Sequence, residues 1–155
     1  MKNSFKLFIA VAVFAAIASI TSCTKTCDAG FEGSNCKTEV RTKYIGNYTA
    51  SETKNGGAPY SYSGTIDTVS GSISDISINR IPNGTGFFNT NVRATVDGNA
   101  VNIPNQNPDG DAYYITGTGA LSGTTLTFTY TVSGPDNSTP PVTVTDSYTS
   151  TWTRQ

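Results

Sequence analysis

Three cysteines, eight tyrosines and no histidine set the chemistry open to this chain. Without imidazole there is no Ser-His or Cys-His nucleophile pair and no histidine-containing zinc site. Paired carboxylates are the one hydrolytic chemistry that needs neither histidine nor metal. Asp109 and Asp111 form the one recognisable acidic pair, and they lie in a Pro/Gly segment rather than on a strand face. The aromatic residues offer more. Tyrosine and tryptophan combine a broad apolar ring with a polar tip, which suits a binding cavity and a small antiparallel core alike. Tyr60, Tyr62, Tyr113, Tyr114 and Trp152 are the aromatic candidates for ligand contact, and Asp146 is the acidic one. No catalytic residue, metal ligand or cofactor is expected, and the chain is read as a non-enzyme.

These side chains must be positioned by strands. From Lys43 onward apolar residues alternate with Thr and Ser, broken at short intervals by Gly, Asn, Asp and Pro. Such a period of two marks strands buried on one face. Leu126, Phe128, Tyr130 and Val132 share one face against Thr125, Thr127, Thr129 and Thr131. The pattern predicts about eight strands, near 43–52, 58–69, 73–81, 88–96, 99–104, 112–121, 124–133 and 142–154. Asp97-Gly98 signals a type I′ hairpin and Ser122-Gly123 another tight turn. Short connections make a meander of antiparallel neighbours, and eight strands close into a small up-and-down barrel holding side chains or one small ligand. A β-sandwich is the alternative. Parity points Arg93 to solvent and Asp146 inward, and it puts one of Tyr113 and Tyr114 outside. The glycine-rich Asn83-Gly84-Thr85-Gly86 opens no helix and gives no phosphate cradle.

Composition narrows the partners. The 155-residue chain carries a formal charge of −1, and 14% of its residues are charged. No Lys/Arg cluster supplies the electrostatic footprint of nucleic-acid binding. Lys2 and Lys6 followed by the apolar run Leu7 to Ile20 form a secretory signal, too short for a membrane span of about 20 apolar residues. Ile20-Thr21-Ser22-Cys23 resembles the bacterial lipobox. That resemblance implies cleavage before Cys23, lipidation of Cys23 and a membrane partner held through the lipid. Each buried CH₂ of an acyl chain contributes about 0.8 kcal/mol, so two or three chains anchor firmly. Thr24, where an inner-membrane retention signal favours Asp, implies the outer membrane, at its periplasmic face or the cell surface.

Cys27-Asp-Ala-Gly30-Phe31-Glu-Gly33-Ser-Asn-Cys36 resembles the closing loop of an EGF-like module. The resemblance implies a Cys27–Cys36 disulfide that stiffens a stalk, followed by a polar connector from Lys37 to Lys43. Asn107-Pro-Asp109-Gly-Asp111 resembles the start of an EF-hand loop, but Ala112 and Thr118 replace the required Gly and Glu, so it reads as a turn. Lys43-Tyr-Ile-Gly46-Asn-Tyr48, the Asp97-Gly98 hairpin, Gly117-Thr-Gly119 and the terminal Trp152-Thr-Arg154 resemble small Bacteroidetes lipoproteins with a lipocalin-like (calycin-like) barrel. In that family a first-strand Trp packs under a last-strand Arg, and here Tyr48 stands in the place of the Trp and Arg154 in that of the Arg. The expected organisation is a signal peptide over 1–22, lipidated cysteine, cystine loop and linker over 23–42, and the barrel over 43–155. The expected role is a lipid-anchored envelope module for a small hydrophobic ligand, a glycan or an envelope protein. A carboxylate-dependent hydrolase and a purely structural or inhibitory lipoprotein are the alternatives.

Overall fold

A computed structural model describes residues 26–82 and 87–155. The signal segment, the lipidation residue Cys23 and the Asn83–Gly86 run lie outside the described residues. Two short strands, β1 (Phe31–Glu32) and β2 (Thr38–Glu39), precede a 3₁₀ turn at Val40–Tyr44. Eight strands follow: β3 (Gly46–Lys54), β4 (Tyr60–Thr68), β5 (Asp75–Ile78), β6 (Val92–Asp97), β7 (Ala100–Gln106), β8 (Tyr114–Ser122), β9 (Thr125–Pro135) and β10 (Thr143–Arg154). Each pairs antiparallel with its successor, and β10 returns to β3, so the sheet closes as the expected eight-stranded up-and-down barrel and not as a sandwich.

The alternation read in the sequence is the wall of this barrel. Tyr48, Ile66, Leu126, Phe128 and Trp152 point inward, each no more than 1% exposed. Burying such a side chain contributes about 1.5–3 kcal/mol. The inner space accepts these rings because glycines face them. A Cβ at Gly64 would lie 2.5 Å from Trp152 Cζ3, and one at Gly119 would lie 2.6 Å from Phe128 Cδ1.

Outside, hydroxyls line up in ranks. Ser122, Thr125, Thr153, Thr49 and Ser63 are successive register partners across five strands, β8, β9, β10, β3 and β4. Thr118, Thr129, Thr149 and Thr53 form a second rank. The outward positions of β3, β8, β9 and β10 carry no charged residue. Cross-strand Thr pairs of this kind favour the sheet.

Three local readings need correction. The β6–β7 turn consists of Gly98 and Asn99, because Asp97 still pairs with Ala100. Gly98 alone has positive φ, +51°, whereas a type I′ turn requires it at both central residues. The strand expected to reach 81 stops at Ile78, since Arg80 adopts φ +64° and Pro82 has no N–H to continue a ladder. The supposed polar connector at 37–43 is ordered structure that closes the barrel floor. Val40 and Tyr44, four residues apart, are both buried. A single 3₁₀ turn is too short to show a period in sequence.

At this closed end the Tyr44 hydroxyl donates to Gly98 O (3.0 Å) and the Tyr48 hydroxyl to Tyr44 O (2.7 Å). The Arg154 guanidinium lies 5.6 Å from the Tyr48 ring centroid and donates to Lys43 O. Cys27 and Cys36 form a disulfide with Cα atoms 5.2 Å apart. Its loop is docked rather than standing off as a stalk. Val40 N donates to Gly30 O (2.9 Å), Lys43 pairs with Glu32 (2.6 Å), and Arg41 Nη1 donates to Val69 O (2.7 Å). The segments 79–82, 87–91, 107–113 and 136–142 gather at the opposite, open end.

Candidate functional site

On β3 the inward positions run Tyr48, Ala50, Glu52. Two of these fit an apolar core and the third does not: Glu52 is 0% exposed. The register places Tyr60 beside Glu52 and Tyr62 beside Ala50, while β9, two strands from β3 on the other side of β10, brings Tyr130. Tyr60 donates to Glu52 Oε1 (2.6 Å), Tyr62 donates to Oε2 (2.9 Å), and Tyr130 also donates to Oε2. A buried carboxylate is tolerated when its oxygens are so engaged. Burial first, and then Glu52, pushes the hydroxyls of Tyr60, Tyr62 and Tyr130 above the usual phenol range, so they remain proton donors. Tyr148 stacks on Tyr130 with centroids 5.0 Å apart and planes 4° from parallel. Its hydroxyl is also shifted up, chiefly by burial.

Below this cluster the barrel is filled. Trp152 is enclosed by Tyr48, Tyr62 and Phe128 at centroid distances of 5.8, 5.9 and 5.7 Å. Above it, at the mouth, a cleft of about 280 Å³ lies among Lys54, Phe87, Tyr113, Val132, Asp146 and Tyr148. Asp146 accepts from Asn55 Nδ2 (2.8 Å) and pairs with Lys54 Nζ (2.6 Å). Lys54, then Asn55, holds the Asp146 carboxyl below the ordinary aspartate value, and Asp146 raises Lys54 in turn. Tyr113 donates to Pro135 O (3.0 Å), and its ring meets Phe87 edge-on at 5.2 Å. Tyr113 approaches so closely because residue 134 is glycine, where a Cβ would lie 2.5 Å from Tyr113 Cε1.

The structure thus brings Tyr60, Tyr62, Tyr113 and Asp146 to the mouth and the cluster beneath it. Trp152, 0% exposed, belongs to the packed interior, with Nε1 donating to Ser150 Oγ (3.2 Å). Tyr114 is 45% exposed on the outer wall. Glu52, Tyr148, Lys54 and Phe87 were not among the sequence candidates. Parity with Tyr48 and Ala50 was the available signal for Glu52. Asp109 and Asp111 hold the mouth loops. The Asp109 carboxylate accepts from Asn89 N and Thr90 N (both 2.8 Å), and Asp111 accepts from Tyr113 N (2.7 Å). Among the described residues no group of three or more His, Cys, Asp or Glu could hold a metal ion.

A larger groove, about 690 Å³, crosses the outer wall near Ser77, Asn91, Arg93 and Gln106. Two of its polar side chains are already engaged: Asn91 donates to Ser77 Oγ (3.0 Å) and Gln106 donates to Arg93 O (2.7 Å). The mouth, smaller but backed by the buried polar cluster, sets the rings of Phe87 and Tyr113 and the Val132 side chain beside the polar groups of Lys54 and Asp146, which converge on one space as they do in a binding site.

No protein-family model matches the chain, and no curated protein matches it. Two solved structures are similar in shape. EF1p2_mFAP2b bound to DFHBI is 15% identical with a TM-score of 0.50, over 75% of this chain and 97% of its own. A redesigned β-barrel, b11L5F_LGL, is also 15% identical, with a TM-score of 0.44 over 75% of this chain and 95% of its own. At this identity the likeness is one of fold, the closed barrel.

Proposed function

We propose that this protein is a lipid-anchored envelope protein whose barrel binds a small ligand in its open mouth. The observation that carries the reading is the cleft walled by Phe87, Tyr113, Val132 and Tyr148 over the Glu52–tyrosine cluster. The filled interior beneath excludes a long ligand. At about 280 Å³ the space falls below the roughly 300–1,000 Å³ typical of drug-sized ligands, so the occupant is small. Anchoring at the outer membrane through Cys23 is supported by the lipobox-like Ile20-Thr21-Ser22-Cys23. The described chain enters at the closed end, opposite the mouth, which suits a tethered receptor with its site turned away from the tether.

Native mass spectrometry of the protein purified from its own host tests the binding. A retained small-molecule adduct is expected, and consistently adduct-free protein overturns the reading. The anchor is tested separately by fatty-acid labelling of Cys23→Ala. Loss of label and release from membranes are expected, and persistent labelling refutes the assignment.

A further inference from the structure

The mouth already holds an ammonium group, the chain's own. Lys54, the last residue of β3, shares inward parity with Glu52, and its Nζ lies 2.6 Å from Asp146 Oδ2 and 6.0 Å from the Tyr148 ring centroid. The two partners that receive it differ from it in mobility. Asp146 is held by Asn55, which is itself fixed: Asn55 N donates to Ser147 O (2.7 Å) and Ser147 N donates to Asn55 Oδ1 (2.8 Å). Tyr148 is clamped by its stack on Tyr130, whose hydroxyl donates to the Glu52 carboxylate. The Lys54 side chain, by contrast, is 48% exposed on a flexible stem, and an exposed ion pair of that kind contributes little. The receptor for an ammonium is therefore rigid and its present occupant replaceable.

We infer that the mouth takes a small organic ammonium ion with an apolar or aromatic body, which displaces the Lys54 ammonium from between Asp146 and Tyr148. This rests on the reading of the mouth as the binding site. Asp146 supplies the countercharge, and Tyr148 offers the cation its phenol oxygen together with its ring, 6.0 Å from the present ammonium. Phe87, Tyr113 and Val132 line the rest of the cleft and receive the apolar body. Lys54 acts as an intramolecular competitor that sets the threshold for binding.

The test titrates the intact protein with 2-phenylethylammonium, its neutral counterpart 2-phenylethanol and the anion 3-phenylpropanoate, following binding by calorimetry and by the NMR signals of Tyr113 and Val132, both in the cleft wall. The ammonium should bind more tightly than either counterpart by about tenfold. Lys54→Met should tighten ammonium binding by about threefold or more, and Asp146→Asn should weaken it by about tenfold. Both positions are at the rim, and circular dichroism checks that each variant retains the barrel. Equal or tighter binding of the alcohol or the carboxylate at the same signals overturns the ligand class and leaves the mouth as a site. Weaker ammonium binding by Lys54→Met overturns the competitor role, and binding of none of the three probes removes both readings.

Discussion

The Trp152 indole turns the edge of its six-membered ring onto the backbone of Gly64, so close that a Cβ on residue 64 would come within 2.5 Å of Trp152 Cζ3. The ring is also pinned by Tyr48, Tyr62 and Phe128, and it has nowhere to retreat. Gly64→Ala should therefore destabilise the barrel by about 1–3 kcal/mol through overpacking. Trp152 is the single tryptophan, so its fluorescence in a urea titration reports the change directly. An unchanged midpoint would show that β4 yields to the indole.

Glu52 is the acceptor shared by three phenols, and its loss strands their donors. Glu52→Ala should cost about 2–4 kcal/mol, because Tyr62 and Tyr130 would be left as buried, unsatisfied hydroxyls. Glu52→Gln keeps an acceptor oxygen in nearly the same shape and should lose about half as much. Equal losses in the two variants, measured by chemical denaturation, would mean that packing rather than hydrogen bonding sets Glu52's contribution.

Stability should fall in alkali. Burial, reinforced by Glu32, pushes the Tyr44 hydroxyl up to about 12. Burial also raises Tyr60, Tyr62, Tyr130 and Tyr148. In the unfolded chain these phenols ionise near pH 10. Above that pH the unfolded state releases protons that the folded state retains, so unfolding becomes progressively more favourable. The stabilisation is complete below about pH 10 and is lost as pH rises through the folded values. Tyrosinate absorbance should therefore appear together with loss of the barrel's circular dichroism. Independent, non-cooperative ionisation of these residues in an intact barrel would contradict this.

The cystine loop is a fitted part of the floor, so opening it should loosen the floor first. Replacing Cys27 and Cys36 by Ser should remove about 2–3 kcal/mol from the docking of residues 27–36. Hydrogen exchange at the Val40 amide, bonded to Gly30 O, should accelerate accordingly. The Trp152 transition should move less, because β3 to β10 close without the loop. Unchanged protection at Val40 would assign the docking to Arg41 and Lys43 alone.

What the sequence shows of this molecule follows from which physical signals repeat. Leu126, Phe128, Tyr130 and Val132 alternate with threonines over enough residues to fix both the strand and its inner face. The turns at Gly98 and Gly123 announce themselves because few other residues adopt their conformations. The 3₁₀ turn at Val40–Tyr44 has a single repeat and so leaves no pattern. Glu52 occupies an inward position on β3, but Thr49, Ser51 and Thr53 around it make a lone acid look like one more polar outward residue. Its meaning depends on Tyr130, far along the chain, and only closure of the barrel brings the two together. The same holds for the mouth, where Lys54, Phe87, Tyr113 and Asp146 come from four separate segments.

The ranks of Thr and Ser on the outer wall across β8, β9, β10 and β3 determine how that side of the protein meets its surroundings. Surfaces that associate through charge lose their hold as salt accumulates, because mobile ions shield them within about 10 Å at 0.1 M. A wall of neutral hydroxyls gives ions little to shield. Any contact made there exchanges bound water for another hydrogen-bonding partner, so it responds to solutes that withdraw water, such as sucrose or sulfate, rather than to ionic strength. Dehydration, not desalting, is the lever that side of the barrel obeys.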